Sequence, residues 1–132
     1  MFYELKIPYR LPGLNDYIDI ERSNKYKAAQ VKKDIETGII LLIKQQLPAL
    51  YIEDPIFIKY FWTEPNKRRD KDNIVFARKF IQDALVKAGV LGNDGWDQIV
   101  GFSDRFLLDP ENPRVRIQIK PTSFRSKEKA RL

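Results

Sequence analysis

Cysteine and histidine are both absent from the 132 residues of this sequence. The absence of cysteine excludes disulfides, thiolate nucleophiles, iron–sulfur clusters and cysteine-ligated zinc. The absence of histidine excludes Ser-His-Asp triads, HNH-type nuclease sites, H-E-x-x-H zinc sites and any imidazole general base. An enzyme of this composition has to use carboxylates, lysines, hydroxyl groups and metals held by oxygen. Oxygen ligands favour hard cations such as Mg²⁺ or Mn²⁺.

Long hydrophobic runs are missing as well. The longest covers residues 38–43 and falls far short of the ~20 residues of a membrane span. Residues 1–12 do not have the pattern of an export signal. These features predict a soluble, cytoplasmic protein with no membrane partner and one domain over residues 1–120. Residues 121–132 form a basic tail that we expect to be disordered.

Positive charge is in excess, with 24 lysines and arginines against 18 acidic residues and a net charge of +6. Such a balance favours a polyanionic partner, and nucleic acid before a membrane surface.

Hydrophobic periodicity predicts the element order β-α-β-α-β-β. Strands are expected over residues 2–7, 55–62, 98–108 and 114–120, and helices over residues 15–47 and 73–89. The first helix is expected as one long segment, with a break near Ser23 or Gly38 left open. Gly89 stands where a glycine ends the second helix, and residues 109–113 are interpreted as a hairpin connection. This order implies an α+β fold, a two-layer sandwich of a mixed β-sheet and two main helices.

The densest chemical signal is the segment 67–73, Lys-Arg-Arg-Asp-Lys-Asp-Asn. Asp70 and Asp72, two residues apart in extended backbone, would point to one side and could share a divalent cation. They enter a helix, whose first amides favour phosphate. Acidic groups within a basic surface suit metal-assisted phosphodiester hydrolysis. In the alternative interpretation, Asp72 is a helix N-cap in a solvated loop.

Further motifs extend this signal in a fixed order. Residues 11–15 read Leu-Pro-Gly-Leu-Asn, 68–73 read Arg-Arg-Asp-Lys-Asp-Asn, 83–85 read Asp-Ala-Leu, and 93–94 read Asn-Asp. Together they resemble the RusA family of Holliday-junction resolvases. The sequences Gly-Trp at 95–96 and Gly-Phe-Ser-Asp at 101–104 resemble those of phage-borne members in particular. The resemblance covers about residues 11 to 105, which is most of the chain.

The resemblance implies a Mg²⁺-dependent endodeoxyribonuclease, with Mn²⁺ as a substitute, that resolves Holliday junctions by paired symmetric nicks in DNA recombination and repair. Asp70, Asp72 and Asp94 match the metal-binding acids of the family, and Lys79 matches its catalytic lysine. The resemblance also implies a homodimer, because paired nicks require two sites related by two-fold symmetry.

Several points of the assignment stay open. Lys71 rivals Lys79, because the spacing from Asp72 to Lys79 is about three residues longer than in the best-known members. Asp97 is a candidate to assist or replace Asp94. A helix of ~17 residues is ~25 Å long, so either the following turn brings Asp94 back or a second subunit supplies it. Asp83 lies four positions after Lys79 in the helix, so an ion pair with Lys79 explains this aspartate more simply than a functional role does.

Contacts to DNA are predicted for five residues: Lys67, Arg68, Arg69, Lys71 and Asn73. For Asn73, a purely structural place in the first turn of the helix is an equally good interpretation. The helix face with Lys25, Lys32 and Lys33 is the next candidate. Four aromatic residues suit either base stacking or the core: Phe61, Trp62, Trp96 and Phe102. Residues 39–43 are a candidate dimer interface or core. The alternative functions are a non-catalytic protein that binds branched DNA or RNA, and a flap or single-strand nuclease.

Overall fold

The computed structural model describes residues 1–122, in which four strands and four helices follow the order β-α-α-β-α-α-β-β. The strands are β1 (Tyr3–Ile7), β2 (Ile56–Glu64), β3 (Ile99–Leu108) and β4 (Arg114–Pro121). The helices are α1 (Leu14–Ser23), α2 (Lys25–Gln46), α3 (Lys71–Val75) and α4 (Arg78–Lys87). The predicted basic tail lies outside the described residues from residue 123 onward.

A mixed sheet of order β1-β4-β2-β3 forms one layer of the fold. β2 runs parallel to β3 and antiparallel to β4, and β1 runs antiparallel to β4. The helices cover one face of this sheet, so the predicted α+β sandwich with a mixed sheet is confirmed. None of the helices within residues 1–122 combines the length and the apolar character needed to cross a membrane.

The core lies between the sheet and the helices. Side chains alternate along β2, and its buried positions pack against α2 and α4 through one cluster of apolar residues: Ile39, Ile43, Ile56, Ile58, Tyr60, Trp62, Phe80, Ile81 and Leu85. The Tyr60 and Trp62 rings stack with centroids 5.5 Å apart. Burial raises the pKa of the Tyr60 phenol, whose oxygen accepts a hydrogen bond from Gln82. Ile39 and Ile43 are core residues, so of the two interpretations of residues 39–43 the core interpretation holds at these two positions.

The long helix predicted for residues 15–47 is interrupted at Asn24. Asn24 has extended backbone (φ −165°), and its Oδ1 accepts hydrogen bonds from the amides of Tyr26 and Lys27 at 3.0 and 3.2 Å. An asparagine side chain that caps the next helix competes with continuation of the previous one. The break is therefore beside Ser23 and not at Gly38.

The helix predicted for residues 73–89 is also two helices, and its continuity is wrong at Phe76 and Ala77. The Ala77 amide donates to the Ile74 carbonyl at 3.3 Å, and the Lys79 amide donates to the Phe76 carbonyl at 3.2 Å. These bonds span three residues where an α-helix spans four, which marks a local tightening. The predicted end is confirmed, because Gly89 has a φ of +81°.

The hairpin predicted at residues 109–113 is wrong, because β2 lies between β3 and β4 in the sheet. The amide of Asp109 donates to the carbonyl of Glu64 at 2.9 Å, which holds the connection across the end of β2. The Asp109 carboxylate accepts from Arg114 at 3.0 Å and from two backbone amides. The Arg114 hydrogen bond, followed by those amides, lowers the pKa of Asp109.

Candidate functional site

The loop that follows β2 is anchored by the buried carboxylate of Glu64, which is 6% exposed. Its Oε1 accepts hydrogen bonds from Nε and Nη2 of Arg10 at 3.1 and 2.9 Å. Arg69 approaches the same oxygen, with its Nη1 at 3.9 Å. Two guanidinium groups therefore balance one buried negative charge, and the start and end of the loop are fixed to each other.

Arg69 also forms hydrogen bonds with the segment before α1 and with α1 itself. Nη1 donates to the carbonyl of Leu11 at 2.9 Å, and Nη2 donates to Oδ2 of Asp16 at 2.8 Å. Asp16 also accepts from the amide of Gly13 at 3.1 Å, which closes the first turn of α1. Arg69 thus ties the loop to the start of α1, and its predicted contact with DNA stays a prediction.

Asn73 packs against the same turn. Its Oδ1 accepts a hydrogen bond from the amide of Asn15 at 2.9 Å. A Cβ atom on Gly13 would stand 2.6 Å from this oxygen, so the close approach requires glycine at position 13. The segments 11–15 and 68–73, which carry much of the family resemblance, are therefore one structural unit. Sequence reasoning missed this contact, although the glycine beside a proline was its signal.

Asp70 and Asp72 lie at the entrance of α3 with exposed side chains. Asp70 occupies the N-cap position with extended backbone (φ −65°, ψ 153°), and its side chain makes no capping hydrogen bond. Asp72 is in the first helical turn. The interpretation of Asp72 as N-cap is therefore wrong, as is the expectation that both residues are in extended backbone.

A cleft of about 820 Å³ brings these two carboxylates to a common wall. Lys67, Lys71 and Phe106 of β3 line the same cleft. Nζ of Lys71 stands 5.3 Å from the centroid of the Phe106 ring, a cation–π contact. The cleft thus holds acidic groups among basic ones, the arrangement expected from segment 67–73.

Lys79, at the start of α4, bridges two acidic residues. Its Nζ lies 2.9 Å from Oδ1 of Asp83 and 3.6 Å from Oδ2 of Asp94. The predicted ion pair with Asp83 is confirmed. The hydrogen bond to Asp83, together with the charges of Asp83 and Asp94, raises the pKa of the ammonium group. Lys79 is therefore positively charged throughout the neutral pH range.

The loop between α4 and β3 returns Asp94 to the beginning of α4. Lys79 is the second residue of that helix, and Asp94 contacts it although it follows the C-terminal end of the helix. The turn therefore brings Asp94 to Lys79 of its own chain, and whether it also reaches Asp70 and Asp72 stays a prediction. Within residues 1–122, no three acidic side chains come together as a metal site. Convergence of Asp70, Asp72 and Asp94 on one metal stays a prediction, as does the role of Asp97.

The two tryptophans have opposite environments. Trp62 is buried, and its Nε1 donates to Oδ1 of Asp104 at 2.9 Å. Arg78 donates to the other oxygen of Asp104 at 2.6 Å, and its guanidinium lies 4.4 Å above the Phe102 ring. This Asp104 cluster, which the sequence did not predict, fixes the start of α4 to β3.

Trp96, by contrast, is 94% exposed, so the core interpretation holds for Trp62 and is wrong for Trp96.

Comparison with known proteins adds no relative: no protein-family model matches the sequence, and a search of curated proteins finds no match. The likeness to the RusA family therefore rests on the motifs in the sequence. The chemistry of the site rests on the placement of Asp70, Asp72, Lys79 and Asp94.

Proposed function

We propose that this chain is a RusA-like, Mg²⁺-dependent endodeoxyribonuclease that cuts branched DNA, and Holliday junctions in particular. The observation that carries the proposal is the contact of Lys79 with Asp94. Both residues were selected from separate motifs, and the fold places their charged groups side by side. Together with two exposed carboxylates in a cleft that also holds basic side chains, this supports phosphodiester hydrolysis more than simple binding.

The acidic residues are the proposed metal ligands. Asp70, Asp72 and Asp94 would hold Mg²⁺, or Mn²⁺ in its place, because both cations prefer carboxylate oxygens. A metal bound there supplies an activated water and neutralises charge that develops on the phosphate. In a chain without histidine, the carboxylates themselves are left to accept the proton from the attacking water.

Lys79 acts on the developing negative charge. Its side chain is 60% exposed, so a phosphate can reach it, while Asp83 and Asp94 orient the ammonium group from the protein side. It stabilises the extra charge of the transition state or donates a proton to the leaving oxygen. Asp83 is a positioning residue in this scheme, since it holds the ammonium without facing the substrate.

Substrate binding is assigned to exposed basic groups around the cleft. Lys67, Arg68 and Lys71 contact phosphates, whereas Arg69 and Asn73 hold the loop in place. Trp96, two residues after Asp94, stacks on an unpaired base at the branch point. A homodimer is part of the proposal, because paired nicks require two sites. The expected setting is DNA recombination and repair in the cytoplasm, in a prophage context.

The test is cleavage of a labelled four-way junction with Mg²⁺, beside matched duplex and flap substrates. Asp70→Asn should abolish cutting and leave junction binding intact. Asp19→Asn, the same change at an exposed carboxylate of α1, should cut normally. Paired symmetric nicks that vanish only with Asp70→Asn would establish the activity. Tight junction binding without cutting under any divalent metal would contradict it and favour the binding protein, and preferential cutting of flaps would favour the flap nuclease.

A further inference from the structure

The face of the sheet away from the helices is strongly basic. It is formed by the positions of β1, β2, β3 and β4 that alternate with the core positions, and we refer to it as the open face. Among residues 1–122, the four strands place six cations and one carboxylate on it: Lys6, Lys59, Arg105, Arg114, Arg116, Lys120 and Glu4. Within the part of the chain that the structure describes, no helix covers this charge, so the surface is open to a partner.

One row of the open face crosses the whole sheet. Lys6 pairs with Arg116, Arg116 with Phe61, and Phe61 with Arg105, so these residues stand side by side on four neighbouring strands. At ~4.8 Å between strands, the row is about 14 Å long. The Arg116 guanidinium lies 4.1 Å above the Phe61 ring. The row thus holds three cations and one aromatic ring, with Arg116 and Arg105 on the strands to either side of Phe61.

This arrangement works against the stability of the isolated sheet. Like charges directly opposite each other on paired strands repel, and Lys6 faces Arg116 in this way. The carboxylate of Glu4 is their shared partner, but it stands 3.8 Å from each of them. An anion bound across the row would relieve the repulsion. The charge of the face therefore points to a ligand that is an extended polyanion.

The open face lies on the other side of the sheet from Lys79, although Leu107 of this face also lines the cleft of Asp70 and Asp72. Lys79 and Asp83 belong to the helix layer, which covers the opposite face of the sheet. The Phe57 ring packs over Gly101 of the neighbouring strand, with its nearest carbon 2.9 Å from a Cβ atom built on that glycine. A ligand on the open face would therefore contact the protein without covering Lys79 or Asp83.

We propose that the open face is a second nucleic-acid-binding surface, which holds a DNA segment through its phosphates with Lys6, Lys59, Arg105 and Arg116. A sheet surface that carries cations and an aromatic ring suits nucleic acid, because cations bind phosphates and an aromatic ring can stack on a base. Binding of this kind is independent of sequence and sensitive to salt. The proposal goes beyond the nuclease activity, because it needs none of the aspartates.

The first experiment measures DNA binding without metal, by fluorescence anisotropy of a labelled four-way junction in EDTA. The triple variant Lys6→Gln, Lys59→Gln, Arg105→Gln should bind about 10- to 100-fold more weakly, with a salt slope lower by about 2 to 3. The matched control removes three exposed charges from the helix layer, by Arg22→Gln, Lys27→Gln and Lys44→Gln. It should lose less than about threefold. Equal losses in the two triples, or binding unchanged in the first, would overturn the proposal.

The second experiment leaves every charge in place and uses the absence of cysteine from the chain. Ser103→Cys places a single thiol on the open face beside Lys59, and Ser23→Cys places one at the end of α1. DNA should slow maleimide alkylation of the first thiol about tenfold or more and leave the second unchanged. No protection at position 103 would contradict the proposal. Protection by anionic vesicles but not by DNA would contradict it too, and would assign the face to a membrane surface.

Failure of this inference is distinguishable from failure of the proposed function. If Asp70→Asn abolishes cleavage while the open-face triple binds and cuts junctions normally, the nuclease stands and the second surface falls. If the chain never cuts but the triple loses DNA binding, the open face stands without the nuclease.

Discussion

Lys79 and Asp94 are fifteen residues apart in the sequence, and their charged groups lie 3.6 Å from each other. Most of α4 and a glycine-containing turn separate them along the chain. The ammonium group of Lys79 is closer to Asp83, at 2.9 Å, than to Asp94, so Asp83 holds it more tightly. Its weaker contact with Asp94 leaves room for a phosphate or metal bound at that carboxylate to approach the ammonium group. This relationship makes Lys79 the stronger of the two lysine candidates.

Replacing Lys79 by methionine should therefore lower kcat for junction cleavage by about 10²- to 10³-fold, with KM changed less than about threefold. Lys71→Met should affect KM and salt dependence more than kcat, since its Nζ lies over Phe106 in the cleft. Single-turnover cleavage of a labelled junction measures both effects. A larger loss of kcat in Lys71→Met would transfer the catalytic role to Lys71.

The pH dependence of cleavage should show no ionisation of Lys79 in the neutral range. Its pKa is raised by the Asp83 hydrogen bond and by the two aspartate charges, so the protonated form persists up to and beyond the ordinary lysine value of about 10.5. The contribution of the pair to stability should likewise be full below that pH and be lost only as pH rises through the raised pKa. An inflection between pH 6 and 9 that disappears in Lys79→Arg would contradict this assignment.

Mixing two inactive variants tests which subunit supplies Asp94. Asp70→Asn and Asp94→Asn should each abolish cleavage. Because Asp94 folds back onto Lys79 of its own chain, we expect mixed dimers of the two variants to stay inactive as well. Recovery of nicking in one strand of the junction would show instead that the site is shared across the dimer. Asp97→Asn, mixed and alone, serves as the comparison and should retain cleavage within about tenfold.

Trp96 should report directly on junction binding. In a Trp62→Phe protein it is the single tryptophan, and it is 94% exposed, so its fluorescence starts from a solvated state. A junction should quench this emission, while a blunt duplex of equal length should change it little. Trp96→Ala should weaken junction binding about tenfold, as expected for the loss of one stacked base. Equal quenching by duplex and junction would remove the branch-point role.

A double-mutant cycle can measure the contact between Gly13 and Asn73. Gly13→Ala should destabilise the fold by about 1 to 3 kcal/mol, because the added Cβ overlaps the Asn73 side chain. On an Asn73→Ala background the same change should cost at least about 1 kcal/mol less, since the overlapping oxygen is gone. Urea denaturation gives both values. Additive costs would mean that the close approach to Asn73 does not restrict position 13.

Local signals made much of the fold predictable. The strands of alternating hydrophobicity and the glycine that ends α4 are where the sequence indicated, because such patterns depend on nearest neighbours in the chain. The order of the strands was not predictable in this way. A five-residue connection at 109–113 favours a hairpin, but pairing with β2 on both sides decides the arrangement, and that pairing is non-local.

For the site, too, local patterns were predictable from the sequence and tertiary contacts were not. Asp70, Asp72 and Asp94 came from motifs, and the sequence also indicated the pairing of Lys79 with Asp83 through helix spacing. The tertiary contacts were beyond the sequence, because they join distant segments. Arg69 illustrates this point, since a basic residue in a charged loop suggests phosphate, whereas its donors are used by Leu11 and Asp16.

The pairing of β1 with β4 has a consequence for the way the protein is made. Tyr3 opposes Ile119, so β1, which is synthesised before the other three strands of this sheet, hydrogen-bonds to β4, which is synthesised after them. β1 has to wait, without its partner, until nearly all of the described chain has been synthesised. Contacts of such high sequence separation are slow to form. We therefore expect the completed sheet to appear only after translation has passed β4, with β1 open to mispairing or to chaperones until then.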